Sequence, residues 1–299
     1  MSTSIATLKA SGHARSSSVP SISHPVVSRV DDLLCRLRTS EAVTSSSSSS
    51  ICHNMGDINN LYECVDDLLQ FPFTQQALTG QDRNEKWVEQ VLDGSLRLLD
   101  VCGTTRDVLL QMKESVQDLE SSLRRRKGGE FCVANDVAAY ISSRKKVSKV
   151  ISKCLGDLKR IENNNISPLD KEPEVASMIR QVERITLSMF ESILSFTSGS
   201  KARSKPINGW SLVSKVMHSK RIACQETEMN INEMEKVDVA LKTFLGHKSS
   251  SCKEIDELHN VKKQLVALEM SIQGLEDGLE CVFRHLMRTR VSLLNILSY

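Results

Sequence analysis

This sequence has few aromatic residues and almost no net charge. Only 4% of its 299 residues are Phe, Trp or Tyr, and 39 Lys and Arg stand against 37 Asp and Glu, for a net charge of +2. Few aromatic side chains leave few surfaces on which nucleic-acid bases can stack, and a near-neutral chain lacks the basic footprint of a general nucleic-acid binder. The composition therefore argues against nucleic acid as a partner.

Long hydrophobic runs are also missing. No stretch approaches the ~18 consecutive apolar residues of a bilayer-spanning helix, and no short apolar core flanked by charge marks a secretory signal. Residues 1–30 contain Lys9, Arg15 and Arg29, many serines and no acidic residue, a composition shared by organelle transit peptides and disordered arms. We favour a disordered arm on a cytoplasmic protein, while an organelle or nuclear location stays open.

The motifs of common catalytic and metal sites are not found. The nine cysteines are odd in number, widely spaced and without a CxxC pair, which indicates a reducing compartment and favours neither a disulfide framework nor a zinc site. No Gly-rich phosphate loop, HExxH or GxSxG occurs. We therefore predict no catalytic residue, no metal and no cofactor. An enzyme whose site is assembled from distant helices stays open as a third hypothesis.

What the chain does contain is helical periodicity, with almost no strand-like alternation. We predict an all-α fold, an elongated helical bundle with long coiled-coil-like helices and a disordered N-terminal arm. The predicted segments are a Ser-rich arm at 1–25, a short helix at 26–44, a Ser linker at 45–50 and a bundle domain at 51–299. Within the bundle we expect a break near 163–171, a loop near 198–209 and a helix at about 210–245. Ser50 is expected to cap the second helix, which should stop near Phe71-Pro72.

The last helix gives the strongest pattern. Ser251 and Glu254 form a capping box, and apolar residues then recur at alternating steps of three and four. This predicted packing seam consists of Leu258, Val261, Leu265, Leu268, Ile272, Leu275, Leu279, Val282, Leu286, Leu293 and Ile296. A seam this regular must face a partner helix, either in the same chain or in a second copy, so a homo-oligomer is one reading. Gly274 and Gly278 within it are expected either to permit the close approach of another helix or simply to weaken this stretch of the helix.

Charge is distributed unevenly along the chain. Residues 121–161 carry eleven Lys and Arg against three Asp and Glu, whereas residues 224–280 carry six against twelve. Segments of opposite sign attract one another when packed together, although each exposed pair contributes only about 0.2–1 kcal/mol. We favour an internal partner for the basic segment; the alternative is a peripheral membrane adaptor that uses residues 121–161 to contact anionic lipid.

The N-terminal arm contains one candidate regulatory motif. Residues 15–20 read Arg-Ser-Ser-Ser-Val-Pro, which has the form of the phosphoserine sites that 14-3-3 proteins bind. Its candidate residues are Arg15, Ser16, Ser18 and Pro20. Phosphate on Ser18 would add about −1.5 to −2 charge for an arginine cluster to bind. A protein partner, with a 14-3-3 protein as one candidate, is therefore predicted for this arm.

Several segments resemble one plant family. They are residues 13–16, 20–25, 32–38, 87–89, the Leu-Asp-Gly-Ser-Leu-Arg-Leu-Leu-Asp-Val-Cys run at 92–102, residues 123–129, and Tyr140. The chain resembles the plant-specific BYPASS-related family, a domain of unknown function, over nearly its whole length. The resemblance implies a helical protein linked to root and shoot development. It implies no catalytic activity and transfers no functional residue. Together these patterns predict a non-enzymatic interaction protein.

Overall fold

The computed structural model describes residues 25–42, 47–79, 85–125, 130–164, 174–199, 231–246 and 251–297. All the regular structure in these ranges is α-helical, which confirms the predicted all-α class; the elongated shape stays a prediction. The helices are α1 (Pro25–Ala42), α2 (Ser48–Gln70), α3 (Pro72–Thr79), α4 (Glu85–Arg124), α5 (Glu130–Asn164), α6 (Glu174–Ser198), α7 (Glu233–Gly246) and α8 (Ser251–Leu297).

The start of α2 corrects the predicted serine linker. Ser47 is extended (φ −81°, ψ 147°), and its hydroxyl accepts a hydrogen bond from the Ser50 amide at 3.4 Å. Serine is well suited to this position because its oxygen pairs with an amide that has no partner inside the helix. Residues 48–50 therefore form the first turn of α2, and the cap is Ser47 rather than Ser50. Residues 43–46 lie outside the described chain.

We predict that Ser47→Ala lowers the free energy of unfolding by about 1 kcal/mol, the usual cost of losing a serine N-cap. Ser50→Ala is the matched control because it keeps the backbone amide that Ser47 binds and places a better helix former in the first turn. Urea unfolding followed by circular dichroism measures both. Equal losses for the two variants would contradict the assignment of Ser47 as the cap.

The end of α2 is where the sequence places it. Phe71 is extended (φ −73°, ψ 134°), as expected for a residue before proline. A new helix nevertheless starts at once, because Pro72 occupies the first position of α3, where its missing backbone N–H would have no partner inside the helix. The sequence analysis did not predict this short helix.

The predicted helix at 210–245 is wrong at its centre. Residues 231 and 232 are not helical, and α7 begins at Glu233. Asn232 caps it: its side-chain oxygen accepts from the Glu235 amide at 2.9 Å, and its side-chain nitrogen donates to the Phe196 carbonyl at 3.3 Å. A capping residue that is also tied to α6 favours a helix start over a continuous helix. Residues 210–230 lie outside the described ranges.

Helix α8 is the longest helix and packs against several others. At 1.5 Å per residue its 47 residues span about 70 Å, and it packs against α2, α4 and α7. Helix α4 also contacts α5 and α6, and α1 lies on α2. Opposite charges meet in one place that the sequence suggested, where Arg144 of α5 pairs with Asp238 of α7. Lys113 of α4, which precedes the basic segment, also pairs with Glu276 of α8 at 2.6 Å.

The two glycines of α8 lie against α2, as predicted. A Cβ atom on Gly278 would come within 2.7 Å of the Met55 methyl carbon, and one on Gly274 would lie 3.5 Å from the Cys52 sulfur. The small size of Gly278 therefore lets Met55 of α2 lie against the α8 backbone, whereas a methyl group on Gly274 would make only an ordinary van der Waals contact.

Candidate functional site

The predicted packing seam on α8 is internal. Its end residues, Leu258 and Ile296, are partly buried, and the other nine apolar members are each at most 3% exposed. They face α2, α4 and α7 of the same chain. The seam is therefore not available to a second copy, and the predicted homo-oligomer would have to use another surface.

A cavity of about 180 Å³ lies among α1, α4, α5 and α6. Four arginines line it: Arg38 from α1, Arg97 from α4, and Arg180 and Arg184 from α6. Two carboxylates, Glu183 and Glu191, also face it, together with apolar side chains that include Leu158 and Ile161 of α5. The lining is therefore cationic on balance, with an apolar wall on one side.

Glu183 is the most deeply placed charged group of this cavity. Its residue is 8% exposed, and Arg97 Nη1 lies 3.9 Å from its Oε1. Burial raises the pKa of the Glu183 carboxyl, while the nearby Arg97, Arg180 and Arg184 oppose that rise. One buried carboxylate is thus influenced by three guanidinium groups at once.

Gly94 makes room for that carboxylate. A Cβ atom at this position would lie 2.3 Å from Glu183 Oε2 and 2.7 Å from its carboxyl carbon. Glycine in the middle of a helix costs roughly 0.5–1 kcal/mol relative to alanine, so its presence inside α4 has a local steric cause. It lets the Glu183 side chain lie directly on the α4 backbone.

The same segment of α4 is anchored to α8. Arg290 Nη1 donates to the Leu92 carbonyl and to Ser95 Oγ, both at 2.7 Å. The Ser95 hydroxyl in turn donates to the Leu92 carbonyl at 2.7 Å. Residues 92–97 therefore contact α6 through Gly94 and Arg97, and α8 through Leu92 and Ser95. These residues belong to the run at 92–102, one of the segments that carry the family resemblance.

A second polar cluster joins α2, α6 and α8. The Tyr62 hydroxyl lies 3.0 Å from Thr186 Oγ1, and its ring stacks on His285. Asp66 accepts from Thr289 Oγ1 at 2.8 Å and lies 3.6 Å from His285 Nδ1. Burial raises the pKa of Tyr62, which keeps its phenol protonated and able to donate. These contacts cross-link helices, and they are typical of structural polar networks.

The outer face of α5 is basic and exposed. Its lysines are Lys145, Lys146, Lys149, Lys153 and Lys159, and no residue in the described ranges forms an ion pair with them. By contrast, Arg144 pairs with Asp238, and Arg160 with Asp157 at 3.2 Å. The predicted internal partner of the basic segment is therefore found for Arg144. The five lysines form an exposed surface without an ion-pair partner among the described residues, and we call this surface the α5 lysine face.

The predictions for the N-terminal motif, for membrane spans and for metal sites remain to be compared with the described residues. Arg15, Ser16, Ser18 and Pro20 lie outside the described residues. None of the described helices is both long enough and apolar enough to cross a bilayer. Across the helices and caps that the structure describes, no three His, Cys, Asp or Glu side chains converge as metal ligands.

Sequence reasoning missed the arginine-lined cavity. Its lining residues come from positions as distant as Arg38 and Gln181, whose side chains hydrogen bond across 143 residues. Gly94 carried the one sequence signal for this cavity, because a glycine in the middle of a helix often marks the close approach of another group.

These features define a class of protein: an all-helical chain whose longest helix is buried by its own neighbours, with a cationic cavity between α1, α4, α5 and α6. A family model described as Protein BPS1 matches residues 54–296, and the chain belongs to that family, which confirms the resemblance found in the sequence. Neither the search of curated proteins nor the search of solved structures gave a match.

Proposed function

We propose that this chain is a non-enzymatic helical scaffold that acts in plant root and shoot development by binding other proteins. Family membership supports the developmental role. One observation supports the scaffold role most: the longest apolar seam is occupied inside the chain, so any partner must bind an outer face. The α5 lysine face gathers five exposed charges of one sign on a single helix, and none of them forms an ion pair with a described residue.

The chemistry of this face selects for an acidic partner. Its lysines repeat at helical spacing, so several point the same way along about three turns of α5. Like charges held side by side repel one another and attract a surface of opposite sign, which raises association rates and selects partners. The proposed partner is therefore a protein with an acidic surface.

The N-terminal arm is proposed as a second contact. Phosphorylated Ser18, with Arg15 upstream and Pro20 downstream, would supply a phosphate group to an arginine cluster of the kind that 14-3-3 proteins use. Two contacts on one chain bind more tightly than either alone when both can be engaged together.

Proximity labelling in plant tissue tests both contacts. We expect Lys145→Gln/Lys149→Gln/Lys153→Gln to reduce labelling of acidic partners on the order of tenfold, since three exposed charges contribute about 0.5 kcal/mol each. The control, Arg106→Gln/Lys242→Gln/Lys263→Gln, removes equal charge from exposed positions on α4, α7 and α8 and should leave the partners unchanged. Ser18→Ala should remove a separate set. An unchanged partner list for all variants would contradict the proposal.

A membrane-surface adaptor is the second candidate, and one observation favours it. Ile141, one turn before the lysines of α5, and Val150, between Lys149 and Lys153, are each at least 40% exposed, an arrangement that suits an anionic bilayer surface. Each lysine near such a surface contributes about 1 kcal/mol. If lipid is the partner, the wild type will pellet with phosphatidylserine vesicles at low salt, and the lysine triple variant will bind about a hundredfold more weakly. Equal pelleting with neutral vesicles would contradict this candidate.

A further inference from the structure

The outer side of α4 carries a row of exposed acidic residues, and none of them forms an ion pair with a described residue. Four of these residues recur every seven positions, which keeps them on one side of the helix. We call this row the α4 acidic stripe, and it consists of Glu89, Asp93, Asp100, Asp107, Glu114 and Asp118. The molecule therefore presents an exposed surface of each sign on two neighbouring helices, α4 and α5.

The α4 acidic stripe and the α5 lysine face lie at the same level of the bundle. Helices α4 and α5 run antiparallel, as two hydrogen bonds show: Ser115 with Ser143 at 2.6 Å, and Ser122 with Asp136. A step forward along α5 is therefore a step back along α4. The lysines within residues 145–159 accordingly lie beside about residues 99–113 of α4, the part of the stripe that contains Asp107.

Both rows also face the same side of the α4–α5 pair. Glu114 precedes Ser115 by one residue, and Lys146 follows Ser143 by three. In an α-helix of 3.6 residues per turn, both steps rotate the side chain in the same sense about the helix axis, by roughly 60–100°. On two antiparallel helices, such rotations away from the line of contact lead to the same face of the pair. The carboxylates and lysines thus form two adjacent rows of opposite charge on one surface.

We propose that this surface is the contact between two copies of the chain, in which the α5 lysine face of each copy binds the α4 acidic stripe of the other. The inference rests on the proposed use of the lysine face, and it identifies the acidic partner as a second copy. A two-fold axis suits such a surface because it brings the unlike rows together twice. Charge complementarity of this kind fixes the register of an interface and selects its partner.

The spacing of the charges matches across such an axis. Fourteen residues separate Asp100 from Glu114, and fourteen separate Lys145 from Lys159, a rise of about 21 Å in each helix. With the axis level with Asp107, Asp100 of one copy lies opposite Lys145 of the other, and Glu114 lies opposite Lys159. Both pairs form in one register because α4 of one copy then runs parallel to α5 of the other.

An exposed apolar residue lies at the centre of this surface. Val150 follows Ser143 by seven residues, which places it on the α4 side of α5, and yet it is 46% exposed. It is nearly level with Asp107, so the two copies of Val150 would lie near the axis and cover one another. An apolar centre surrounded by charged residues is the usual composition of a protein interface.

Sedimentation velocity of the full chain tests the proposal. We expect a dimer at about 50 mM sodium chloride and a shift toward monomer at about 500 mM, because salt screens exposed charges. The lysine-reversed variant, Lys145→Glu/Lys149→Glu/Lys159→Glu, should raise the dimer dissociation constant about tenfold or more, since like charges then face each other. Unfolding of the core measured at the higher salt is independent of this association.

A second variant reverses the other row. The acid-reversed variant, Asp100→Lys/Asp107→Lys/Glu114→Lys, should lose the dimer to the same extent. When the two variants are mixed in equal amounts, they should form a heterodimer about as stable as the wild-type dimer, because each row again meets the opposite charge. Two damaged proteins would not recover on mixing, so this measurement separates a docking role from a structural one.

The matched control is Arg106→Glu/Lys242→Glu/Lys263→Glu, which reverses three exposed charges outside both rows and should dimerise as the wild type does. Circular dichroism checks that each variant folds. A reversed variant that does not fold is replaced by the triple variant with glutamine or asparagine at the same positions, which should weaken the dimer by a smaller factor.

Three results would overturn the proposal: a wild type that is monomeric at low salt, a dimer that neither charge reversal weakens, or a mixture of the reversed variants that stays monomeric. If the wild type is monomeric while proximity labelling still depends on the lysines, the acidic partner is a different protein. The self-association is then wrong, and the proposed function stands.

Discussion

Leu268→Ala is expected to lower the free energy of unfolding by about 2–5 kcal/mol, the range for removing a buried leucine side chain and leaving a cavity. Leu268 lies in the middle of the seam on α8 and is 0% exposed. Because α2, α4 and α7 pack around this helix, the space left behind would be bounded by several elements and would collapse poorly. Urea unfolding followed by circular dichroism gives the difference directly.

Met270→Ala on the same helix is the matched control. Met270 is 71% exposed, and both substitutions end in alanine, a strong helix former. Substitutions at exposed positions usually change stability by less than about 0.5 kcal/mol. Similar losses for the two variants would show that the seam is not the buried face. A midpoint that rises with protein concentration would show that a second copy helps to bury it.

The sequence predicted the faces of the long helices well because their burial follows a simple period. Apolar residues three and four apart must lie on one side of an α-helix, so Leu268 and Leu275 could be placed in the core without knowing the partner. The identity of the partner helices did not follow. It depends on which of several apolar faces meet, and that is settled by the packing of the whole chain.

Helix ends were predicted less well, for local reasons. In a run of serines every residue can cap, and only the chain path shows that Ser47 does so. Asn232 looks like an ordinary polar residue in a helical stretch until the Phe196 carbonyl is seen beside it. Backbone groups supplied by distant residues carry no signal in the local sequence.

The candidate site was beyond sequence reasoning for a different reason. Isolated arginines on α1, α4 and α6 read as ordinary solvated surface residues, because charged residues usually lie outside the core. Their convergence depends on the angles at which three helices pack. The basic count of residues 121–161 located positive charge on α5, but the internal partner that the sequence favoured is found for Arg144 and not for the five lysines of the α5 lysine face.

Gly94→Ala is expected to destabilise the protein by about 1–3 kcal/mol, the usual cost of overpacking a core position. Helix propensity alone predicts the opposite sign, since alanine is better than glycine inside a helix by roughly 0.5–1 kcal/mol. The clash decides the outcome because the added methyl would lie 2.3 Å from Glu183 Oε2, and the carboxylate could move away only by giving up its place among the arginines.

Gly103→Ala is the control within the same helix. A Cβ atom at Gly103 would meet nothing within 4 Å, so this variant should gain about 0.5–1 kcal/mol. In the double variant Gly94→Ala/Glu183→Ala the clash is absent. The stability lost by the double variant should therefore be smaller than the sum of the losses of the two single variants, by a coupling energy of about 1 kcal/mol or more. Stabilisation by Gly94→Ala, or strict additivity with Glu183→Ala, would show that the Glu183 carboxylate does not lie against α4, and the arginine-lined cavity would then lack its buried acid.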